Sequence, residues 1–135
     1  MDRPDIQFAA KELARGLSRP QRRHTQGLRR AVRYLLHAPN LVWIHCKRKW
    51  PTRIRTWSDT DWAGCPVTRR STSGACQSFG GHLWWTSSST QTPISLPSGE
   101  AEFYGVIKAS SRAIGGQHLA HDLGFELWEL SRVRW

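Results

Sequence analysis

The sequence predicts an α/β protein, α+β in the order of its elements, in which a basic helical hairpin precedes a mixed sheet. Apolar residues recur at helical spacing through residues 4–18 and 21–37, and a long helical stretch follows at 99–123. Between these helices, apolar and β-branched runs alternate with clusters of Gly, Pro, Ser and Thr, a pattern typical of strands joined by turns. The predicted order is two helices, one strand, and then three strands, a helix and a last strand.

The first two predicted helices share one apolar seam. Pro20 separates them, because the residue before a proline disfavours the helical conformation. The seam consists of Ile6, Ala9, Ala10, Leu13 and Leu17 in the first helix and of Leu28, Ala31, Val32, Leu35 and Leu36 in the second. The remaining surface of the second helix carries Arg22, Arg23, Arg29, Arg30 and Arg33. The predicted hairpin is therefore apolar inside and basic outside.

The strands are predicted from β-branched runs and from glycine turns. Residues 41–46, LVWIHC, predict a first strand. The basic break that follows predicts a boundary between a first unit, residues 1–49, and a second, residues 50–135. Gly80-Gly81 indicates a hairpin. The second unit is predicted to hold strands at 53–60, 74–79, 82–87 and 127–134, a polar loop at 87–98, and the helix at 99–123 with Ser98 as its cap.

The charge of the chain is unevenly distributed. Residues 1–57 hold 14 Lys and Arg against three acids, whereas residues 58–135 hold six against seven. This asymmetry predicts a polyanionic partner, most often nucleic acid, although a basic surface that serves solubility remains the alternative. Besides the helix arginines, the candidate contacts to phosphates are Lys47, Arg48, Lys49, Arg69 and Arg70. Tyr34, Trp43 and Trp50 lie near these charges, and core packing is favoured for them over stacking on bases.

Other classes of protein receive little support. The three cysteines, Cys46, Cys65 and Cys76, form no CxxC pair, so free thiols in a reducing compartment are predicted rather than a disulfide framework or a zinc ribbon. No apolar run has the length of a membrane span, and no membrane partner is expected. The pattern of His118, His121 and Asp122 gives only weak support for a metal site. The favoured interpretation is that both histidines face solvent. A hydrolase pair of Ser58 or Ser98 with His118 is not supported, because the sequence lacks the motif that surrounds a hydrolase nucleophile.

Two acidic pairs stand out in the second unit. Asp59 and Asp61 are two apart at the end of a predicted strand and would share a face if the strand extends to Asp61, and Glu100 and Glu102 open the long helix. Buried carboxylates need a partner such as a divalent cation, whereas acids in the first turn of a helix are favoured by its dipole alone. If the strand and the helix start converge, one carboxylate from each could hold Mg²⁺, and two such ions about 4 Å apart support phosphodiester cleavage. The spacing leaves both interpretations open.

Longer motifs carry a resemblance to a known family. The segments SDTDWAGCPVTRRSTSG, FGGHLWW and SSSTQTPISLPSGEAEFYGV resemble the ribonuclease H segment of copia-type retrotransposon polyproteins. Upstream, RPDIQFAAKELARGL and RRHTQGLRRAVRYLL are similar to the end of the reverse transcriptase of the same polyprotein, leading into its connection. The resemblance covers nearly the whole chain in one order, and the motifs are too long for chance similarity.

The resemblance implies an incomplete ribonuclease H-like mixed sheet and an ancestral activity. That activity is the hydrolysis of RNA in RNA–DNA hybrids by two Mg²⁺ ions, with no small-molecule substrate. By position, Asp59 and Glu102 match the catalytic, metal-binding acids of the family. Asp61 and Glu100 match positions that are not ligands: Asp61 is expected to bond neighbouring backbone, and Glu100 to cap the helix.

Departures from the family pattern weaken the expected activity. The family's third carboxylate follows the strand after the long helix, about where the chain stops at Trp135, and none of Asp122, Glu126 and Glu129 substitutes for it. The acids of the polymerase would precede Met1. We therefore expect a truncated domain with weak metal binding and little or no nuclease activity, completed by another chain, and with Trp84, Trp85 and Trp128 partly exposed. The alternatives are a non-catalytic nucleic-acid-binding remnant and a gene relic without a selected role.

Overall fold

The computed structural model describes residues 3–47, 49 and 51–127, together with the backbone of residues 132–134. The chain forms two compact units, Met1–Ile44 and His45–Trp135. Helices and a sheet are both present, so the predicted α/β class is confirmed. Within the described residues, no helix combines the length and the apolar character needed to cross a membrane.

The first unit is an antiparallel helical hairpin, as predicted. A Cβ atom at Gly27 would lie 3.2 Å from Leu13 Cδ2, and Gly16 lies against the ring of His24. At the open end, the Arg3 guanidinium donates to the carbonyl of Pro39 over 2.9 Å. The elements are a 3₁₀ turn at Pro4–Ile6, α1 at Gln7–Arg15 and α2 at Arg22–His37.

The apolar seam of this hairpin is far less buried than the sequence predicts. No residue of α1 or α2, both fully described, is buried, and Leu36 is 77% exposed. Tyr34 and Trp43 are 45% and 38% exposed, so their predicted core packing is wrong, and Trp50 lies outside the described residues. Two short helices alone cannot enclose their seam, so its apolar side chains stay partly exposed.

The strand predicted at 41–46 is also wrong. Residues 41–47 have no regular structure, and Val42 and Ile44 are 78% and 77% exposed. Among the described residues, no strand pairs with this segment. High β propensity reflects packing on a neighbouring strand, and here that neighbour is missing from the described part of the chain.

The second unit is built on a sheet in the order β3-β2-β1-β4. The first three strands are antiparallel, and β4 runs parallel to β1. Gly80 and Gly81, with φ of 62° and 86°, make the predicted hairpin turn, which needs positive φ. The strands are β1 at Ile54–Thr60, β2 at Thr72–Phe79, β3 at His82–Thr90 and β4 at Arg132–Arg134.

Two strand boundaries differ from the prediction. β2 begins at Thr72, and β3 continues to Thr90, so the polar loop predicted at 87–98 is wrong for its first four residues. Those residues are Ser and Thr, whose backbone pairs with β2 although their side chains give no apolar pattern. Of the strand predicted at 127–134, the structure describes Arg132–Arg134 as strand, and residues 128–131 lie outside the described part.

The long helix α3, Ser98–Asp122, packs on β1 and β2 through small residues. Its buried positions are Ala101, Gly105, Ala109, Ala113, Gly116 and Ala120. They cover the inner side of β1, whose buried residues are Ile54, Thr56, Ser58 and Thr60. The predicted cap is wrong: Pro97 is the N-cap, and the Ser98 side chain makes no capping hydrogen bond. Gly124, with φ of 80°, follows the helix as expected.

Candidate metal site and nucleic-acid interface

Asp59 lies near the C-terminal end of β1. Buried and exposed residues alternate along this strand, and Asp59 falls on the exposed side, followed by Asp61. β1 ends at Thr60, one residue before Asp61, so the strand alternation that would put the two acids on one face stops short of Asp61; both acids are exposed rather than buried. The Asp59 carboxylate makes no hydrogen bond or ion pair with the described part of the chain, which leaves its oxygens free to act as hard ligands.

Glu102 stands in the first turns of α3, half-buried, directly after the fully buried Ala101. The helix meets β1 at Gly105, where an added Cβ would overlap Thr60 Oγ1 and lie 3.1 Å from Ser58 Oγ. The residues on either side of Asp59 therefore touch the helix turn that follows Glu102. The structure brings the two supporting segments together, while strand alternation directs Asp59 to the other face of β1.

Asp61 has the structural role that the sequence assigns to it. Its carboxylate accepts a hydrogen bond from the Thr72 amide, and its own amide donates to the Thr72 carbonyl over 3.1 Å. An added Cβ at Gly64 would overlap this carboxylate, so a side chain there would displace it from its hydrogen bond. Asp61 thus closes the loop that joins β1 to β2, and its carboxylate is occupied by a hydrogen bond from the backbone.

Glu100 is confirmed as the group that stabilises the start of α3. The amide of Leu96 donates to Glu100 Oε2 over 2.8 Å, and the hydroxyl of Tyr104 donates to Oε1 over 3.3 Å. This carboxylate replaces Ser98 in holding the turn before the helix, and it lies where the helix dipole favours negative charge. Glu102 makes no such contact in the described part of the chain, and it remains the free acid of the pair.

A buried polar cluster that the sequence did not predict fixes the start of α3. The Gln91 side-chain amide donates to Ser73 Oγ and to the carbonyl of Ala101, each over 2.8 Å. Ser95 donates to Gln91 Oε1 over 3.3 Å, and the indole of Trp62 donates to the carbonyl of Ser95 over 3.2 Å. Gln91 thereby ties β2 to the helix that carries Glu102. A lone Gln in a polar loop gives no sequence signal for burial.

The candidate phosphate contacts are exposed cations. Each of the described ones is exposed, and their side chains make no ion pair within the described residues. Arg69 adopts a positive φ of 55° in a turn closed by its amide and the Cys65 carbonyl, and Arg48 lies outside the described residues. The cations described are Arg22, Arg23, Arg29, Arg30, Arg33, Lys47, Lys49, Arg69 and Arg70.

The alternative sites find no support in the geometry. No group of three or more His, Cys, Asp or Glu that could hold a metal ion occurs among the described residues. His118 is exposed and His121 faces solvent beside Asp122, as predicted. Ser58 is buried under α3, which removes it from hydrolase chemistry. The three cysteines are free thiols.

Comparison with known proteins places the chain in a family. It is 34% identical over 125 residues to the retrovirus-related Pol polyprotein from transposon RE1 of Arabidopsis thaliana, and 32% identical over 125 residues to that from transposon RE2. Each match covers 93% of this chain and 8% of the relative. It is also 34% identical over 113 residues to secreted RxLR effector protein 161 of Plasmopara viticola, covering 83% of this chain and 78% of that protein. No family model and no solved structure matches the chain. The chain belongs to the family of copia-type retrotransposon Pol polyproteins.

Proposed function

We propose that residues 50–135 are a ribonuclease H-like segment and that residues 1–49 are the end of a reverse transcriptase with its connection. Support comes from the sheet, in which three antiparallel strands are followed by a helix and a strand parallel to the first. The chain spans about a twelfth of the polyproteins it matches, and their substrate in this segment is proposed to be an RNA–DNA hybrid. The exposed apolar side chains of the hairpin support completion by another chain.

The single observation that carries a metal site is the contact between β1 and α3 at Gly105. This contact supports the proposal because Ser58 and Thr60 flank Asp59 and Gly105 follows Glu102 by three residues, and neither carboxylate has a described partner. Strand alternation directs Asp59 away from α3, so a shared site requires the two side chains to reach each other around the end of β1, where the strand stops at Thr60. Hard carboxylate oxygens suit Mg²⁺, which would activate a water and stabilise the leaving oxygen of a phosphodiester.

The proposed activity of this chain is weak. Two carboxylates supply a small part of an octahedral coordination sphere, and no third acid joins them among the described residues. Metal affinity falls with the number of charged ligands, and cleavage depends on the bound metal. The proposal is therefore a hybrid-binding chain with a metal site of low affinity and at most trace cleavage.

Cleavage of a labelled RNA–DNA hybrid in Mg²⁺ tests this proposal. We expect the RNA strand to be cut barely above the rate without protein, and any Mg²⁺-dependent cutting to disappear in Asp59→Asn and Glu102→Gln. Asp122→Asn is the matched control, because Asp122 is an exposed acid at the far end of α3. Rapid cutting that depends on Asp59 would contradict the low activity and support the site. Cutting that survives both variants would refute the site.

The second candidate function is binding of nucleic acid by charge alone. The observation that favours it is the set of exposed arginines on α2, which form no ion pair with the described residues. Such contacts carry no base information and weaken steeply as salt rises. Replacing Arg29, Arg30 and Arg33 with Gln should reduce the slope of log affinity against log salt by about 2 to 3 if all three contact phosphates. An unchanged slope would exclude α2 from the interface.

A further inference from the structure

An open groove lies between α3 and the edge strand β3 of the second unit. Its volume is about 750 Å³, and its aromatic lining consists of Trp84, Trp85 and Tyr104. Lys108 and Arg112 line it as well, and no acidic residue among the described ones does. A groove that combines flat apolar rings with two cations is suited to a ligand that is itself planar and anionic.

A β-bulge creates the aromatic side of this groove. Gln77 pairs with Trp85 and the next residue, Ser78, pairs with Leu83, so Trp84 is an extra residue on β3. Consecutive residues of a regular strand point to opposite faces, whereas the bulge lets Trp84 and Trp85 both line the groove. Trp84 remains 40% exposed, which leaves part of its ring open to a ligand.

The groove is also shaped by the helix opposite. A Cβ at Gly116 would lie 3.0 Å from Trp84 Cζ2, so the tryptophan fills the space that a side chain would occupy. At the neighbouring Gly115 a Cβ would meet nothing within 4 Å. Paired glycines weaken a helix, and here one of them admits the indole ring while the other borders open space.

The two cations have no negative partner in the described part of the chain. Lys108 Nζ lies 2.5 Å from Ser89 Oγ, and the Arg112 guanidinium carbon lies 5.5 Å from the centroid of the Trp85 ring. The two residues are four apart on α3, so they share one face of the helix. No described residue supplies these cations with a negative charge, so an anion bound in the groove would provide one.

We propose that this groove binds single-stranded nucleic acid, with a base stacked on Trp84 and a backbone phosphate held by Lys108 and Arg112. A duplex keeps its bases inside, whereas an unpaired base can leave its neighbours and stack on an exposed ring. The volume accommodates one or two nucleotides rather than a helix. The proposed site uses neither the acids of the candidate metal site nor the α2 arginines. Because it needs an unpaired base, it would favour single strands over duplexes, which charge alone does not do.

Photo-crosslinking of the full chain tests the location. The probe is a short oligothymidylate strand carrying one 5-bromodeoxyuridine, and the cross-linked peptide is mapped by mass spectrometry. We expect the peptide that contains Trp84. Cross-links confined to peptides from residues 22–49 would overturn the proposal, while leaving hybrid binding by α2 intact. This measurement needs no variant, so it is independent of any folding defect.

Affinity measured by fluorescence anisotropy gives the second readout. At about 0.3 M salt, where phosphate contacts are weakened, Trp84→Leu should lower affinity for the labelled strand by about 5- to 150-fold. Trp57→Leu is the matched control, since Trp57 is 36% exposed on the other face of the sheet. Equal affinities of the two variants would refute the groove site. A chain that sediments as a dimer and becomes monomeric in Trp84→Leu would also overturn it, and would assign the groove to a second copy.

Discussion

Replacing Gly105 by alanine tests the contact on which the candidate metal site depends. Gly105 faces β1, and an added Cβ would overlap Thr60 Oγ1 and lie 3.1 Å from Ser58 Oγ. Thr60 is buried, and its β-branched side chain has few alternative rotamers, so it cannot move aside without cost. The helix would have to shift away from the strand, and Glu102 would shift with it.

Gly115→Ala is a matched control on the same helix. Both substitutions gain about 1 kcal/mol from the higher helix propensity of alanine. At Gly115 nothing lies within 4 Å of the new Cβ, so that gain is retained. At Gly105 overpacking costs about 1 to 3 kcal/mol, which cancels or exceeds the gain. The two variants should therefore differ by about 1 to 3 kcal/mol in free energy of unfolding, with Gly105→Ala the less stable.

Urea unfolding followed by tryptophan fluorescence measures this difference. Seven of the eight tryptophans lie in residues 45–135, so the signal reports mainly on the second unit. Helical circular dichroism should give the same midpoint only if both units unfold together in two states, because α1 and α2 of the first unit also contribute to that signal. Equal stabilities of Gly105→Ala and Gly115→Ala would show that α3 does not approach β1 at this point, and the reasoning for the metal site would lose its geometric basis.

Three further outcomes are expected. Asp61→Ala should lower the free energy of unfolding by roughly 1 kcal/mol in urea titrations, because the Thr72 amide loses its acceptor; an unchanged midpoint would contradict this. The hydrogen bond from Arg3, followed by that from Tyr34, lowers the pKa of Asp5, so this carboxylate stabilises the hairpin above its unfolded pKa of about 4 and ceases to do so as pH falls through the lower folded value. This prediction would be contradicted if the helical signal of the wild type did not change below pH 4 and was identical to that of Asp5→Asn. Burial raises the pKa of the Cys76 thiol, so at mildly alkaline pH it should react with a thiol reagent more slowly than the exposed Cys46; equal rates would refute it.

Local patterns in the sequence predict the regular elements of the second unit well. Gly80-Gly81 identifies the hairpin because that turn demands positive φ, which few other residues adopt readily. The helix at Ser98–Asp122 begins and ends one residue earlier than the predicted helix at 99–123. The backbone contacts of Asp61 and Glu100 agree with the structural roles that the family resemblance implies for them, whereas the metal-binding roles of Asp59 and Glu102 stay predictions.

What the sequence did not predict depends on contacts between distant residues. Residues 41–46 have high strand propensity, but a strand also needs a neighbouring strand to pair with. Propensity gives no information on whether that neighbour is present. The bulge at Trp84 depends on how β3 aligns with β2, and the burial of Gln91 depends on Ser73 and α3 closing around it. Each is a tertiary effect that a single residue type does not encode.

The central claim is that Asp59 and Glu102 share one cation, and paramagnetic broadening tests it most directly. Trace Mn²⁺, a hard cation that accepts the same carboxylate ligands as Mg²⁺, is added to the ¹⁵N-labelled full chain, and amide intensities are recorded. We predict that the amides around Asp59 and those around Glu102 lose intensity together, and that both recover in Asp59→Asn. Broadening at one segment without the other, or broadening that persists in Asp59→Asn, would contradict the account.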